Sequence, residues 1–145
     1  MRAPADPQAL AEACAASMWA EDQASQGLGM ALEAVSPGRA TVAMTVTAAI
    51  VNGHGSCHGG FIFALADSAF AFACNSRNAR AVAAQCSVTY LRPGPLGERL
   101  VATAEERAIV GRSGIYDVSV RDGQGEVIAE FRGHSLSVGQ SFFEE

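Results

Sequence analysis

A stretch in the middle of the chain is apolar on nearly every face of a helix, and it constrains the fold more than any other feature. It runs from about Gly59 to Cys74, directly after a loop of glycines and small polar residues. A helix that is hydrophobic all round has to be buried. This one is too short to cross a lipid bilayer and carries Asp67 at its middle. We therefore expect it to lie in the core of a folded domain.

Asp67 is the exception within this apolar helix. An unpaired carboxylate in an apolar environment is unfavourable by several kcal/mol unless it takes up a proton. The alternative is an ordinary structural role, in which Asp67 caps the helix, forms an ion pair or faces solvent. Its neighbours Leu65, Ala66, Ala69 and Phe70 are all apolar, and acids in such surroundings cluster at sites of chemistry. We therefore predict a functional role for Asp67.

The loop before the helix supplies groups that complement an acid. The start of a helix leaves backbone N–H groups unpaired and carries the positive end of the helix dipole, so it can bind an oxygen that carries negative charge. Gly59 and Gly60 stand at this start, and without side chains they let a substrate carbonyl approach the donors. The side chains of Asn52 and His58 add further donors nearby.

The spacing of these residues predicts a dimer. Gly59 and Asp67 are separated by roughly 12 Å along a helix axis, which is too far for one chain to bring both to one substrate atom. Two antiparallel copies of the helix, packed across a twofold axis, would set Asp67 of one chain against Gly59 of the other. We therefore expect a homodimer with shared active sites.

The rest of the chain is predicted to form one more helix and a set of strands. Asp6-Pro7 is a good helix start, with an N-cap followed by proline, and apolar residues recur at helical spacing as far as Trp19. Alternating or β-branched residues predict strands at 30–35, 39–46, 81–91, 98–110, 114–121 and 126–138. Strands segregated from a single apolar helix make an α+β fold in which an antiparallel sheet wraps the helix.

The motif residues resemble those of the PaaI-type acyl-CoA thioesterases of the hotdog-fold superfamily, the phenylacetate-degradation branch in particular. The resemblance rests on Asn52, on 58–60 (His-Gly-Gly) and on 65–67 (Leu-Ala-Asp), and it continues through 88–94 and 131–133. It implies the hotdog fold, a long central helix wrapped by a curved antiparallel sheet, and a homotetramer. It also implies hydrolysis of acyl-CoA, most readily phenylacetyl-CoA or its ring-hydroxylated forms.

The resemblance also implies roles for particular residues. The amide of Gly59 would bind the thioester carbonyl, with Asn52 and His58 orienting the acyl group or a water molecule. Asp67 of the neighbouring chain would attack the carbonyl or take a proton from water, and the sequence leaves both routes open.

Coenzyme A would run past Tyr90 to the turn formed by Val110, Gly111, Arg112 and Ser113. Exposed backbone N–H groups, a guanidinium and a hydroxyl suit phosphate oxygens. An ordinary exposed hairpin turn is the alternative.

Length, composition and charge limit the classes of protein to which the chain can belong. A chain of 145 residues, about half of them hydrophobic, is predicted to be one domain spanning 1–145. A net charge of −5 argues against nucleic acid as a partner. The first residues lack the pattern of a secretory signal, so we expect a cytoplasmic protein with no membrane partner. No metal or redox cofactor is expected, and coenzyme A enters as part of the substrate.

Other functions remain as alternatives. His54, Cys57 and His58 are close enough in sequence to suggest a zinc site, but no fourth ligand is visible. A Cys57–His58 nucleophile and base is disfavoured because adjacent side chains diverge. A thioesterase for medium-chain acyl-CoA, a non-catalytic acyl-CoA-binding hotdog protein and a hotdog dehydratase are the competing hypotheses at the level of function.

Overall fold

The computed structural model describes residues 1–145, and its first helix begins at the predicted N-cap. Helix α1 (Pro7–Glu21) follows Asp6, whose side chain accepts a hydrogen bond from the backbone N–H of Ala9 at 2.9 Å. It ends at Asp22, which caps a second, short helix, α2 (Gln23–Gly27), with its own side chain. The sequence pattern does not predict α2 as a separate element.

A hairpin and the central helix follow. Strands β1 (Ala31–Ser36) and β2 (Arg39–Thr45) pair antiparallel, as the turn between them predicts. A single 3-10 turn (Ala48–Ile50) leads into the polar loop, and helix α3 (Gly59–Cys74) then begins and ends where the sequence analysis places it.

The second half of the chain completes the sheet. It consists of β3 (Ala81–Tyr90), β4 (Arg99–Val110), β5 (Ser113–Arg121) and β6 (Val127–Ser137). The six strands form one sheet in the order β1-β2-β4-β5-β6-β3, and every neighbouring pair is antiparallel. Helix α3 contacts every strand, so the sheet wraps it. The predicted α+β arrangement is confirmed.

The chain buries α3 on one side only. Seven of its side chains are fully buried against the sheet: Ile62, Leu65, Ala66, Ala69, Phe70, Phe72 and Ala73. A stripe at helical spacing on the opposite side is only half-buried, and it consists of Ala64, Asp67, Ala71 and Cys74. The expectation that α3 is buried all round is therefore met only in part, because one curved sheet covers one side of a helix.

The two faces of the sheet differ in character. The face toward α3 carries the core, whereas the outer face carries paired charges such as Arg107 and Arg132 around Asp117. No helix of the chain is both long and apolar enough to cross a membrane.

Candidate active site

The side chain of Asn52 organises the loop that precedes α3. Its Oδ1 accepts hydrogen bonds from the backbone N–H groups of His54 at 2.9 Å and Ser56 at 3.3 Å. The backbone N–H of the same residue donates to the Ser56 carbonyl at 2.8 Å, which closes the loop. The Oδ1 atom is thus committed to the loop, and the side-chain NH2 group of Asn52 has no acceptor within the chain.

His58 caps α3 and decides which backbone donors remain free. Its Nδ1 accepts a hydrogen bond from the N–H of Gly60 at 3.1 Å. Its carbonyl oxygen accepts from the N–H groups of Phe61 at 2.9 Å and Ile62 at 3.3 Å. The backbone N–H of His58 itself donates to the carbonyl of Ile50 at 2.8 Å, so three of the four amides that a helix start leaves unpaired, those of His58, Gly60 and Phe61, are satisfied. The N–H of Gly59 is the fourth, and no atom of the chain accepts from it.

Gly59 lies in a shallow groove with two other predicted site residues. The groove has a volume of about 410 Å³, and its lining includes Asn52, Gly59 and Tyr90. Tyr90 reaches Gly59 directly, since its hydroxyl donates to the Gly59 carbonyl oxygen at 2.8 Å. The structure thus brings Asn52, Gly59 and Tyr90 together, with His58 beside them as the helix cap.

The sequence analysis assigns no site role to the rest of this groove, apart from 91–93, which lie in the stretch 88–94 that carries the resemblance, and Cys57, which enters only as an alternative zinc ligand or nucleophile. Its other lining residues are Ser56, Cys57, Ile62, Leu91, Arg92 and Pro93. The order of elements could have predicted that residues after β3 line the groove. Strand β3 follows α3 and runs antiparallel to it, so its last residues lie near the start of the helix. A hydrogen bond from the N–H of Cys57 to the carbonyl of Gly94, at 2.7 Å, fastens the two loops together.

Asp67 lies apart from this groove, two turns further along α3. Its carboxyl group is half-buried and unpaired, and burial alone raises its pKa above the ordinary value for aspartate. Two cysteines, Cys74 and Cys86, lie close enough for the charge of Asp67 to affect them. Burial, and secondarily the charge of Asp67, raises the pKa of the Cys86 thiol and brings that of Cys74 to about 12. Neither thiol is therefore a nucleophile at neutral pH. Of these three groups, only the carboxyl group of Asp67 can act as a nucleophile or a base.

The predicted coenzyme A turn lies at the far end of α3 from Gly59. Gly111, Arg112 and Ser113 line a cavity of about 180 Å³ that also includes Cys74, the last residue of the helix. Val110 is not part of this cavity. It is 78% exposed and contributes instead to a groove on the outer face of the sheet.

Arg112 is available to a ligand at this turn. It takes part in none of the chain's ion pairs. Its guanidinium lies over Gly139, with Nη2 2.8 Å from the position that a Cβ would occupy there. Gly111 has a φ of 61°, which lets the chain reverse tightly.

The candidate residues therefore do not converge in one chain. Asn52, His58, Gly59 and Tyr90 gather at the start of α3, Asp67 lies at its middle, and the turn 111–113 lies at its end.

The metal and thiol alternatives gain no support from this geometry. No group of three or more histidine, cysteine, aspartate or glutamate side chains is close enough to hold a metal ion. Cys57 is buried, which raises the pKa of its thiol, and its Sγ donates to the carbonyl of His58 at 3.6 Å. The Nδ1 of His58 is itself occupied by Gly60.

Known proteins resemble this chain over most of its length. Residues 54–129 match the family model of the thioesterase superfamily. The acyl-coenzyme A thioesterase PaaI of Escherichia coli K12 is 45% identical over 123 residues, which are 85% of this chain and 88% of that protein.

Solved structures agree with this relationship. The E. coli PaaI protein from the phenylacetic acid degradation operon superposes with a TM-score of 0.92 at 42% identity, over 94% of this chain and 99% of that one. A mutant of the phenylacetic acid degradation protein PaaI from Thermus thermophilus has a TM-score of 0.77 at 41% identity, over 79% and 98%. A protein of Streptococcus mutans, solved with acetyl CoA bound, has a TM-score of 0.74 at 25% identity, over 77% and 90%.

Proposed function

Because the chain belongs to the thioesterase superfamily, as a PaaI-type acyl-CoA thioesterase with the hotdog fold, we propose that it hydrolyses phenylacetyl-CoA or ring-hydroxylated phenylacetyl-CoA. The products are the free acid and coenzyme A. No metal or redox cofactor takes part, and coenzyme A is part of the substrate.

The free N–H of Gly59 is the observation that carries the proposed mechanism. Negative charge develops on the thioester carbonyl oxygen in the transition state, and a fixed donor aimed at that oxygen stabilises it. Every other amide of the first helical turn is already occupied, through His58. The start of α3 therefore offers one open donor, reinforced by the positive end of the helix dipole. The free NH2 group of Asn52 and the ring of His58 orient the acyl group or water beside it.

Asp67 of the partner subunit supplies the attack. In one route its carboxylate takes a proton from water while the water oxygen bonds to the carbonyl carbon. In the other route the carboxylate itself attacks and a mixed anhydride forms, which water then hydrolyses. In both routes the C–S bond breaks and coenzyme A leaves as the thiolate, which takes the proton held by Asp67 in the first route and a proton from water in the second. The unpaired state of Asp67 suits either role, because no cation competes for its lone pairs.

The homodimer is proposed because roughly 12 Å separates Gly59 from Asp67 along one helix. A second copy packed antiparallel on the half-buried stripe of α3 would bring Asp67 of the partner subunit to Gly59. The stripe suits such packing because Ala64, which then lies opposite the first turns of the partner's α3, is small and lets two helices approach closely. Two such dimers form the proposed tetramer.

Coenzyme A binding draws on both chains in this arrangement. Tyr90 lies beside Gly59 and lines the path of the pantetheine arm. The turn 110–113 of the partner subunit lies beyond its Asp67, at the far end of its α3. There the unpaired guanidinium of Arg112 and the hydroxyl of Ser113 bind phosphate oxygens.

The preference for an aromatic acyl group rests on two phenylalanines of α3. Phe70 and Phe72 are fully buried and belong to the core. Phe61 and Phe63 are only half-buried and remain available to a substrate. The ring of Phe61 lies edge-on to His58, with centroids 5.9 Å apart, so it is close to the proposed carbonyl site. Burial of an acyl ring against such surfaces gains about 25 cal/mol per Å² of apolar area.

The experiment that tests this proposal compares acyl-CoA substrates by detection of the released thiol. We expect kcat/KM to be highest for phenylacetyl-CoA and hydroxyphenylacetyl-CoA, lower for medium-chain acyl-CoA and lowest for acetyl-CoA. The aromatic acyl groups should exceed acetyl by about one to two orders of magnitude. A maximum at a straight chain of eight or more carbons would contradict the aromatic preference. Thiol release from none of the substrates would contradict catalysis.

A further inference from the structure

We propose that Ser135 binds a phosphate group of coenzyme A, in the cavity that lies behind the turn 111–113. This inference rests on the proposed function, because it adds a residue to the phosphate site assigned there to Arg112 and Ser113. It names a buried hydroxyl to which the sequence analysis assigns no role.

Ser135 faces the inside of the curved sheet. It follows Phe131 and Gly133 at every second position of β6, and alternate side chains of a strand lie on the same face of a sheet. Both of those residues are packed against Phe70 of α3. Ser135 therefore lies on the α3 side as well, where it lines the cavity of about 180 Å³ beside Cys74. Only 7% of the residue is exposed.

The hydroxyl of Ser135 forms no hydrogen bond within the chain. A hydroxyl taken out of water is unfavourable unless it has a hydrogen-bond partner. No fully enclosed side-chain oxygen or nitrogen of this chain lacks such a partner, so the Oγ of Ser135 is reached from the cavity. Gly114 pairs with Ser135 across the sheet, and a Cβ at Gly114 would be 2.6 Å from this Oγ. The absence of a side chain at Gly114 therefore keeps the hydroxyl open to a ligand.

The other residues that line the cavity suit a phosphate. They include two arginines, Arg77 and Arg112, and two further serines, Ser113 and Ser137, but no carboxylate. Arg77 is paired with Glu106, whereas Arg112 belongs to no ion pair. Phosphate oxygens accept hydrogen bonds, and an unpaired guanidinium beside several hydroxyls supplies the donors that they need.

The end of α3 opposes an anion less than an open helix end would. The last carbonyls of a helix carry partial negative charge. At α3, the side chains of Asn75 and Ser76 donate to the carbonyls of Ala71 and Ala73, at 2.9 Å and 2.7 Å. These bonds satisfy part of that negative end, and the guanidinium of Arg112 is the one unpaired charge in the lining of the cavity.

The cavity also lies within reach of the proposed thioester site. Cys74 lines the cavity and follows Asp67 by seven residues, which is roughly 10 Å along the helix axis. In the proposed dimer, Asp67 lies against the Gly59 amide of the other subunit, which binds the thioester carbonyl. The pantetheine arm between the thioester and the first phosphate of coenzyme A is long enough to span this distance.

Calorimetric titration with coenzyme A tests this inference on the whole protein. Ser135→Ala removes only the hydroxyl, and we expect the Kd for coenzyme A to rise about tenfold, the effect of one lost hydrogen bond to a charged group. Ser119→Ala is the matched control, because it removes a serine hydroxyl that bonds Glu130 on the outer face of the same sheet. This control should keep the wild-type Kd.

A second variant and a melting curve separate ligand binding from a structural role. Gly114→Ala adds a methyl group against the Oγ of Ser135, so it should raise the Kd for coenzyme A as well. Without ligand, Ser135→Ala should melt no lower than the wild type, because its hydroxyl forms no bond in the free protein. Coenzyme A should then raise the Tm of Ser135→Ala less than that of the wild type.

Two further ligands identify the phosphate as that of coenzyme A. Phenylacetyl-pantetheine has the same thioester without the phosphates. Ser135→Ala should lose about tenfold in kcat/KM on phenylacetyl-CoA and keep the wild-type kcat/KM on phenylacetyl-pantetheine. Inorganic phosphate is the other probe. A weaker affinity of Ser135→Ala for inorganic phosphate, with an unchanged Kd for coenzyme A, would show a separate anion site and overturn this inference.

The outcomes distinguish this inference from the proposed function. An unchanged Kd for coenzyme A in Ser135→Ala, or an equal loss of kcat/KM on both thioesters, would overturn the role of Ser135 and leave the thioesterase reaction standing. If the wild type releases thiol from no acyl-CoA but binds coenzyme A about tenfold more tightly than Ser135→Ala, the proposed function fails and the phosphate site stands.

Discussion

At the scale of single residues, Asp117 in the sheet and Asp67 in the central helix show how the surroundings of a carboxyl group favour a structural or a catalytic role. Asp117 lies on the outer face, where hydrogen bonds from Arg132 and Arg107 hold the pKa of its carboxyl group below the ordinary value. Asp67 has no such partner, and burial raises its pKa instead. An acid that the fold leaves unpaired in an apolar site is a candidate for catalysis, whereas a paired acid stabilises the fold.

Replacement of Asp67 by asparagine should therefore reduce activity and increase stability together. Turnover should fall by at least about a hundredfold, as for the loss of a positioned base or nucleophile. The folded-state pKa of Asp67 is raised, so its protonated form favours folding at pH values below the ordinary aspartate pKa. That contribution is lost as pH rises through the folded-state pKa. Asp67→Asn should then melt above the wild-type temperature at pH 7, with the difference shrinking toward about pH 4.

Asp117→Asn is the matched control for this prediction. Its folded-state pKa is lowered, so its contribution to stability is present above the ordinary aspartate pKa and is lost as pH falls. This variant should melt below the wild type at pH 7 and keep its turnover. Melting curves and kcat for both variants over a pH series provide the measurement. Near-normal turnover in a folded Asp67→Asn protein would remove Asp67 from the mechanism.

At the scale of elements, the packing of α3 on β6 depends on a glycine. Gly133 is buried in β6, and a Cβ there would be 2.7–2.8 Å from three ring atoms of Phe70. The Phe70 ring also packs against Phe131 and Tyr116, with ring centroids 5.8 Å and 5.6 Å away. The ring has little room to move, so the absence of a side chain at Gly133 sets the distance between helix and sheet.

Gly133→Ala should lower the free energy of unfolding by about 1–3 kcal/mol, the usual range for overpacking a core. Gly27→Ala at the end of α2 is the control, because an added Cβ there meets nothing within 4 Å. That change should stay within about 0.5 kcal/mol of the wild type. Urea unfolding of the three proteins measures the difference. Equal stability of the two variants would show that Phe70 yields easily.

The elements were predictable from the sequence because their signals are local. Each strand boundary agrees with its prediction to within one residue, and α3 agrees at both ends. Which atoms are used within the site was not predictable. His58 was expected to add a donor, yet its Nδ1 accepts from Gly60, and this depends on the ring's orientation. Val110 likewise lies outside the cavity that Gly111 lines, because its side chain is on the other face of the hairpin, and the sequence did not predict this.

At the scale of the whole molecule, the two edges of the sheet are unequal. Edge strand β1 is short, contains an irregularity between Leu32 and Ala34, and gives one carbonyl, that of Val35, to the side chain of Gln8. Edge strand β3 has ten residues, none of them charged or proline, and most are exposed. Exposed edges without such protection tend to pair with another strand. The β3 edge and the half-buried stripe of α3 therefore both favour a second copy on this side.

A mixed-dimer experiment tests whether the active site is shared between two copies. Asn52→Ala and Asp67→Asn are each expected to be inactive. When their subunits exchange, a mixed dimer holds one site with both changes and one site with neither, so each mixed dimer should recover about half of the wild-type activity. Asn52→Ala mixed with Gly59→Ala is the control, because these residues lie in the same groove and every site of that mixed dimer keeps one change. Native mass spectrometry confirms the exchange, and thiol release measures the activity. If exchange is complete and no activity returns in the first mixture, each site is built from one chain, and α3 must then bend or a substrate must span the roughly 12 Å between Gly59 and Asp67.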